Sequence, residues 1–177
     1  MYQGIRIAGF GGQGVVSAGI LLAQAGVENK KNASWLPSYG PEMRGGVANC
    51  FVRVSSTVID SPVSDQPDVV IAMNQPSFDK FIHLLPASGM MIYDSDVIQT
   101  KHLSGVHCIG LPATSLAASC GAPKSVNLVL LGAFLTQFLK LSRTEHLCRE
   151  LAKSLNESQM KALQSGMACC GSDLLKR

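Results

Sequence analysis

The sequence predicts an α/β fold: a three-layer-like domain with a mostly parallel, mixed central sheet and a helical C-terminal tail. Three observations predict it. Strand-like and helix-like segments alternate along the chain, a glycine cluster joins the first strand directly to the first helix, and the segment Val69-Val70-Ile71-Ala72 is apolar without interruption. A strand with no polar face is buried on both sides, as in the middle of a parallel sheet.

Ile5 to Ala8 reads as the first strand and runs into Gly9-Phe10-Gly11-Gly12-Gln13-Gly14. Val15 to Ala25 is apolar nearly all round, which predicts a helix closing at Gly26 and buried on every side. Ala33 to Leu36 is a short second strand. In Val47 to Val54, Ala48, Cys50, Val52 and Val54 share one face while Asn49 and Arg53 take the other. Thr57 to Asp60 is expected to pair with that strand as a hairpin across Ser55-Ser56. Phe78, Phe81, Ile82 and Leu85 lie at helical spacing between Pro76 and Pro86, positions that suit the start and the end of a helix.

Met90 to Tyr93 and Val106 to Gly110 read as two further strands, followed by helices over Ala113 to Cys120 and from Val126. In the tail, Ser142-Arg143-Thr144-Glu145 and Asn156-Glu157-Ser158-Gln159 have the capping-box form, ahead of Leu147/Leu151 and Met160/Leu163/Met167 stripes. With no internal repeat, low-complexity tract or linker, residues 1–177 read as one domain.

The composition is 46% hydrophobic and 15% charged, against roughly 25% charged in an average soluble domain. Two situations account for that: a sheet covered on both faces, or a surface covered by partner subunits. A net charge of +3 from scattered basic residues argues for neither nucleic acid nor a membrane surface. The longest apolar run, Val126 to Leu139, is interrupted by Asn127, Thr136 and Gln137 and falls short of the ~20 residues of a membrane span. It reads as a buried core helix. No leader pattern precedes the first strand, so a cytoplasmic location is expected. The six cysteines include no CxxC pair and no His at ligand spacing, so neither zinc nor an iron–sulfur cluster is expected on this chain. The thiols are expected to be reduced and mostly core hydrophobes.

Two loops could carry chemistry. Gly9-x-Gly11-x-x-Gly14 has the dinucleotide spelling in the strand-to-helix context where free backbone N–H groups face an anion. The acid that a Rossmann site places at the end of the second strand is missing from Asn32 to Tyr39, and Val15-Val16 stands where a Walker loop has Lys and Ser/Thr. NAD(P) or ATP is therefore disfavoured. A different phosphate ligand, and a tight turn that docks the helix or a partner chain, both remain open.

The second loop is Ser38-Tyr39-Gly40-Pro41-Glu42-Met43-Arg44-Gly45-Gly46. There Arg44 either grips a phosphate or carboxylate beside Tyr39, or pairs with Glu42 to brace the loop. Asp94 and Asp96 follow a strand and could hold a metal, but Asx turns are the more ordinary use of such residues. The histidines are dispersed, and no nucleophile–base pair is apparent.

Three stretches resemble the gamma subunit, or fused gamma domain, of 2-oxoacid:ferredoxin oxidoreductases. They are Ile7 to Gly14, Ser38 to Gly46, and Ser61-Pro62 leading into Pro67-Asp68-Val69-Val70-Ile71-Ala72-Met73, with the resemblance strong over residues 5 to 85. It implies a complex that decarboxylates a 2-oxoacid oxidatively, with coenzyme A as co-substrate, giving acyl-CoA, carbon dioxide and reduced ferredoxin. Thiamine diphosphate, Mg and [4Fe-4S] clusters then belong to partner subunits, of alpha, beta and ferredoxin-like delta type, with ferredoxin as electron acceptor. The resemblance implies a coenzyme A or interface role for Gly11, Gly12, Gln13, Gly14, Tyr39 and Arg44, and no catalytic residue on this chain. Tyr39 and the Glu42 to Gly46 spelling look more like 2-oxoglutarate-type gamma subunits, whose product is succinyl-CoA; branched-chain 2-oxoacid and pyruvate versions are the alternatives, with a Rossmann-like NAD(P) oxidoreductase behind them. The apolar surface leads one to expect a homodimer of the isolated chain.

Overall fold

The computed structural model describes residues 2–38, 47–62, 64, 66–100, 105–139 and 154–171. Their elements run β1 (Tyr2–Phe10), α1 (Val15–Glu28), β2 (Asn32–Ser38), β3 (Val47–Ser55), β4 (Val69–Ala72), α2 (Gln75–Phe81), β5 (Met90–Asp94), β6 (His107–Leu111), α3 (Ala113–Ser119), α4 (Val126–Leu139) and α5 (Glu157–Gly171). A 3₁₀ turn, Ile82–Leu84, extends α2. The six strands form one sheet in the order β2-β3-β1-β4-β5-β6. β1, β4, β5 and β6 are parallel, whereas β3 lies antiparallel to both β1 and β2. The α/β class and the mixed sheet are borne out.

Strand alternation sorts the core into two faces. Ile5, Ile7, Cys50, Val52, Val69, Ile71 and Ile92 point to one, where α1, α3, α4 and α5 pack. Ala8, Val70, Ala72 and Met91 point to the other, covered by Phe78, Phe81, Ile82, Leu85 and Ile98. Because both faces of β4 are covered, all four of its residues are buried, as the unbroken apolar run requires. Leu128 to Leu131 and Ala133 to Leu135 are buried on every side of α4. α5 lies directly on α4: a methyl built on Gly132 would run into the Leu163 carbonyl, and one on Gly166 into the Val129 carbonyl. The α5 capping box forms as read, with Gln159 N donating to Asn156 Oδ1 at 2.9 Å and Asn156 N to Gln159 Oε1 at 3.0 Å. The box at Ser142 to Glu145 lies outside the described residues.

Three expectations need correction. Thr57 to Asp60 forms no strand, because both edges of β3 are already taken by β1 and β2. α1 does not close at Gly26 but continues to Glu28. Gly26 sits where the helix crosses β3, a methyl there meeting Val54 at 3.1 Å, and the chain turns at Asn29 and at Lys30, whose φ is 57°. Nor is α1 buried all round: Ile20 is 39% and Val27 59% exposed. With Ala23, Ala33 and Trp35 they line an open groove of about 350 Å³ between α1 and the edge strand β2.

Candidate functional site

The chain leaves β1 through α1 toward β2 and β3, and leaves β4 through α2 toward β5 and β6. The C-terminal ends of β1 and β4 therefore flank the point where the connections part, the usual ligand crevice of an open α/β sheet. The glycine loop sits at that point. Gln13 N donates to Phe10 O at 3.1 Å, closing a four-residue turn whose third member, Gly12, has φ 90°, a position that favours glycine. Gly14 follows as the N-cap of α1 with φ 75°, and no side chain caps the helix there. A methyl on Gly14 would strike the Asn127 amide, which donates to Gly14 O at 3.1 Å. The first turn, Val15 to Ser17, thus carries helix N–H groups with neither an intrahelical partner nor a side-chain cap, at the positive end of a 14-residue helix. Gly11 and Gly12 are exposed, and nothing lies within 4 Å of a methyl built on Gly12. The loop offers backbone donors to an open surface.

Its surroundings hold uncharged amides and occupied carboxylates. Gln13 Oε1 accepts from Phe10 N at 2.6 Å and from Asn74 Nδ2 at 3.0 Å, so a carboxamide bridges the ends of β1 and β4. At the end of β5, Asp94 Oδ1 accepts from Ala113 N at 3.0 Å, Thr114 N at 3.3 Å and Asp96 N at 3.1 Å, while Oδ2 accepts from Thr114 Oγ1 at 2.5 Å. Asp96 Oδ2 accepts from Ser115 N at 2.7 Å. The two acids cap α3, whose N-cap Pro112 has no side-chain acceptor of its own, and Asp94, accepting from Asp96 N, makes an Asx turn. No group of three or more potential metal ligands occurs among the described residues.

The described residues on either side of the second motif stretch, Ser38 and Val47, stand beside the first loop. Val47 pairs with Phe10, and Ser38 with Asn49, so both stand at the end of the sheet that bears the glycine turn. Just below, the Arg6 guanidinium donates to Asn49 Oδ1 at 2.8 Å and lies 5.2 Å and 5.0 Å from the Phe51 and Phe81 ring centroids.

The family model for pyruvate ferredoxin/flavodoxin oxidoreductase matches residues 4–169. The chain belongs to that family. It is 44% identical to the ketoisovalerate oxidoreductase subunit VorA of Methanothermobacter thermautotrophicus over 133 residues, 74% of this chain but 27% of that relative. The chain therefore spans about a quarter of that relative's length. It is 32% identical to the 2-oxoglutarate synthase subunit KorC of Methanocaldococcus jannaschii over 173 residues, 94% of this chain and 92% of that one. Among solved structures, the gamma subunit of a keto/oxoacid ferredoxin oxidoreductase from Geobacter sulfurreducens superposes with a TM-score of 0.83 at 27% identity, covering 96% of this chain and 99% of that one. The resemblance drawn from the three motif stretches is borne out.

Of the residues the sequence singles out, this pyruvate ferredoxin/flavodoxin oxidoreductase family member brings Gly11, Gly12, Gln13 and Gly14 together in the one loop; Tyr39 and Arg44 lie outside the described residues. Three residues of the site escape the motif reading. Asn74 caps α2, accepting from Ser77 N at 2.9 Å, and the Asn74-Gln75-Pro76 spelling of a helix start was its signal. Asn127 was visible as a polar interruption of an apolar helix. Met73 contributes a backbone carbonyl to the Gln13 side chain, for which no sequence signal exists.

Proposed function

We propose that this chain is the gamma subunit of a 2-oxoacid:ferredoxin oxidoreductase complex, and that it receives coenzyme A on the glycine turn at the β1/β4 crevice. The uncapped N-terminus of α1 carries this reading, since its first-turn N–H groups have no side-chain cap, Gly11 and Gly12 beside it are exposed, and backbone donors there suit phosphate oxygens. Arg44, on the loop anchored at Ser38 and Val47, supplies the cation. The chain contributes positioning and charge, with no proton donor or nucleophile. Thiamine diphosphate, Mg and the [4Fe-4S] clusters are assigned to alpha, beta and ferredoxin-like delta partners, with ferredoxin taking the electrons.

The 2-oxoacid we propose is 2-oxoglutarate, on the Tyr39 and Glu42 to Gly46 spelling and the near end-to-end match to a 2-oxoglutarate synthase subunit. A branched-chain 2-oxoacid is the second reading, favoured by the higher identity to a ketoisovalerate subunit. Comparing kcat/KM of the complex for 2-oxoglutarate and 3-methyl-2-oxobutanoate decides between them. For the coenzyme A role, ferredoxin reduction by the assembled complex is followed as coenzyme A is varied. Arg44→Ala is expected to raise KM for coenzyme A about tenfold or more, the loss of one charge-assisted hydrogen bond, with kcat little changed. Full acyl-CoA formation by a complex assembled without this chain refutes the proposal.

A further inference from the structure

Gln13 and Asn74 form a relay whose orientation is fixed at both ends by backbone donors. Ser77 N–H can only donate, so it sets Asn74 Oδ1 toward α2 and turns Asn74 Nδ2 toward Gln13. Phe10 N–H can likewise only donate, so both donors converge on Gln13 Oε1, at 2.6 Å and 3.0 Å. Gln13 Nε2 then faces Met73 O at 3.4 Å. The side chain is folded back against Gly9, where a methyl would stand 2.8 Å from Gln13 Oε1. An oxygen that already accepts two hydrogen bonds is poorly placed to take a third from a ligand. We propose that Gln13 is a positioning residue: its Oε1 is taken up within the protein, and with Asn74 it clamps the turn of Gly11, Gly12 and Gly14 to the start of α2, so that their amides converge on one anion.

This rests on the coenzyme A reading above, and the variants are chosen to separate the two. Gln13→Met keeps the size and removes all three bonds that the Gln13 side chain makes, to Phe10 N, Asn74 Nδ2 and Met73 O. Asn74→Asp keeps the acceptor for Ser77 N–H, and hence the α2 cap, but replaces the donor to Gln13 with a repelling oxygen. Gly12→Asp puts a negative charge in the turn at φ 90°, which Asp tolerates better than most residues, with nothing within 4 Å of its Cβ and no part in the relay.

In the assembled complex, Gln13→Met is expected to raise KM for coenzyme A about tenfold, the scale of a lost hydrogen-bond network, with kcat within about twofold. Asn74→Asp is expected to shift KM in the same direction, and the double variant to match Gln13→Met alone, because the second change has nothing left to disturb. A purely structural role moves assembly or melting temperature without that non-additive effect on KM. If Gly12→Asp raises KM while Gln13→Met and Asn74→Asp leave it unchanged, the coenzyme A reading stands and the positioning role is overturned. If Gly12→Asp also leaves KM unchanged, both fall. Should Gln13→Met not assemble, Asn74→Asp decides by the same KM.

Discussion

Single residues here are governed by whether a polar atom finds a partner. Cys50 lies on the face of β3 beneath α1, fully buried, with its thiol donating to Val15 O at 3.4 Å. Burial pushes its pKa from the ordinary 9.0 up to about 11, against smaller opposite pulls from the Trp35 indole and the Arg6 guanidinium. In the unfolded chain the thiol ionises first, so the stability it contributes is fully present below pH ~9 and is lost as pH rises through about 11. Two units correspond to about 2–3 kcal/mol. Urea unfolding of the wild type and Cys50→Ala, compared at pH 8 and pH 11, is expected to show the wild type losing about that much more stability. Equal losses would place the thiol in contact with water. The sequence announced Cys50 as a core hydrophobe, and Asp94 and Asp96 as turn formers. It did not announce Gln13 as a bridge, because the partners at Met73 and Asn74 are brought to it by strand pairing.

At the scale of elements, periodicity and caps made most of the chain legible, and contacts between elements decided the rest. The glycine pair of α4 and α5 illustrates both. Gly166 in isolation weakens a helix, by about 1 kcal/mol relative to Ala. In the fold it lets α5 approach the Val129 carbonyl more closely than any side chain would allow. Gly166→Ala is therefore expected to destabilise by a net ~1–2 kcal/mol, overpacking outweighing the better propensity, as read from the shift in urea midpoint. A stabilised variant would mean that the two helices do not touch there. α1 shows the opposite error of sequence reading. Its apolar circumference predicts burial on all sides, but it lies at the edge of the sheet and leaves Ile20 and Val27 at the surface.

For the whole molecule, strand order separates this crevice from a dinucleotide site. In a Rossmann half the strand after the first helix lies beside the first strand and brings an acid to the ribose. Here β2 is the outer edge, and antiparallel β3 stands between it and β1. Fluorescence titration with NAD(H) and NADP(H) is accordingly expected to give no saturable signal, and a saturable one would restore the nucleotide reading. No helix among the described residues is long and apolar enough to cross a membrane, in line with the interrupted run in α4.

By itself the sequence determined the α/β class, most of the strands and helices among the described residues, the glycine turn and the family, since each is set by local patterns: apolar period, capping residues and motif spelling. Only the tertiary structure decided that β3 inserts antiparallel between β1 and β2, that Ser38 and Val47 stand at the sheet end that bears the glycine turn, and that Gln13 and Asn127 bond to the turn. The reason is physical. Which strand edges pair, and which distant amide reaches which carbonyl, depends on how buried hydrogen bonds are satisfied across the whole fold, and no window of neighbouring residues contains that information.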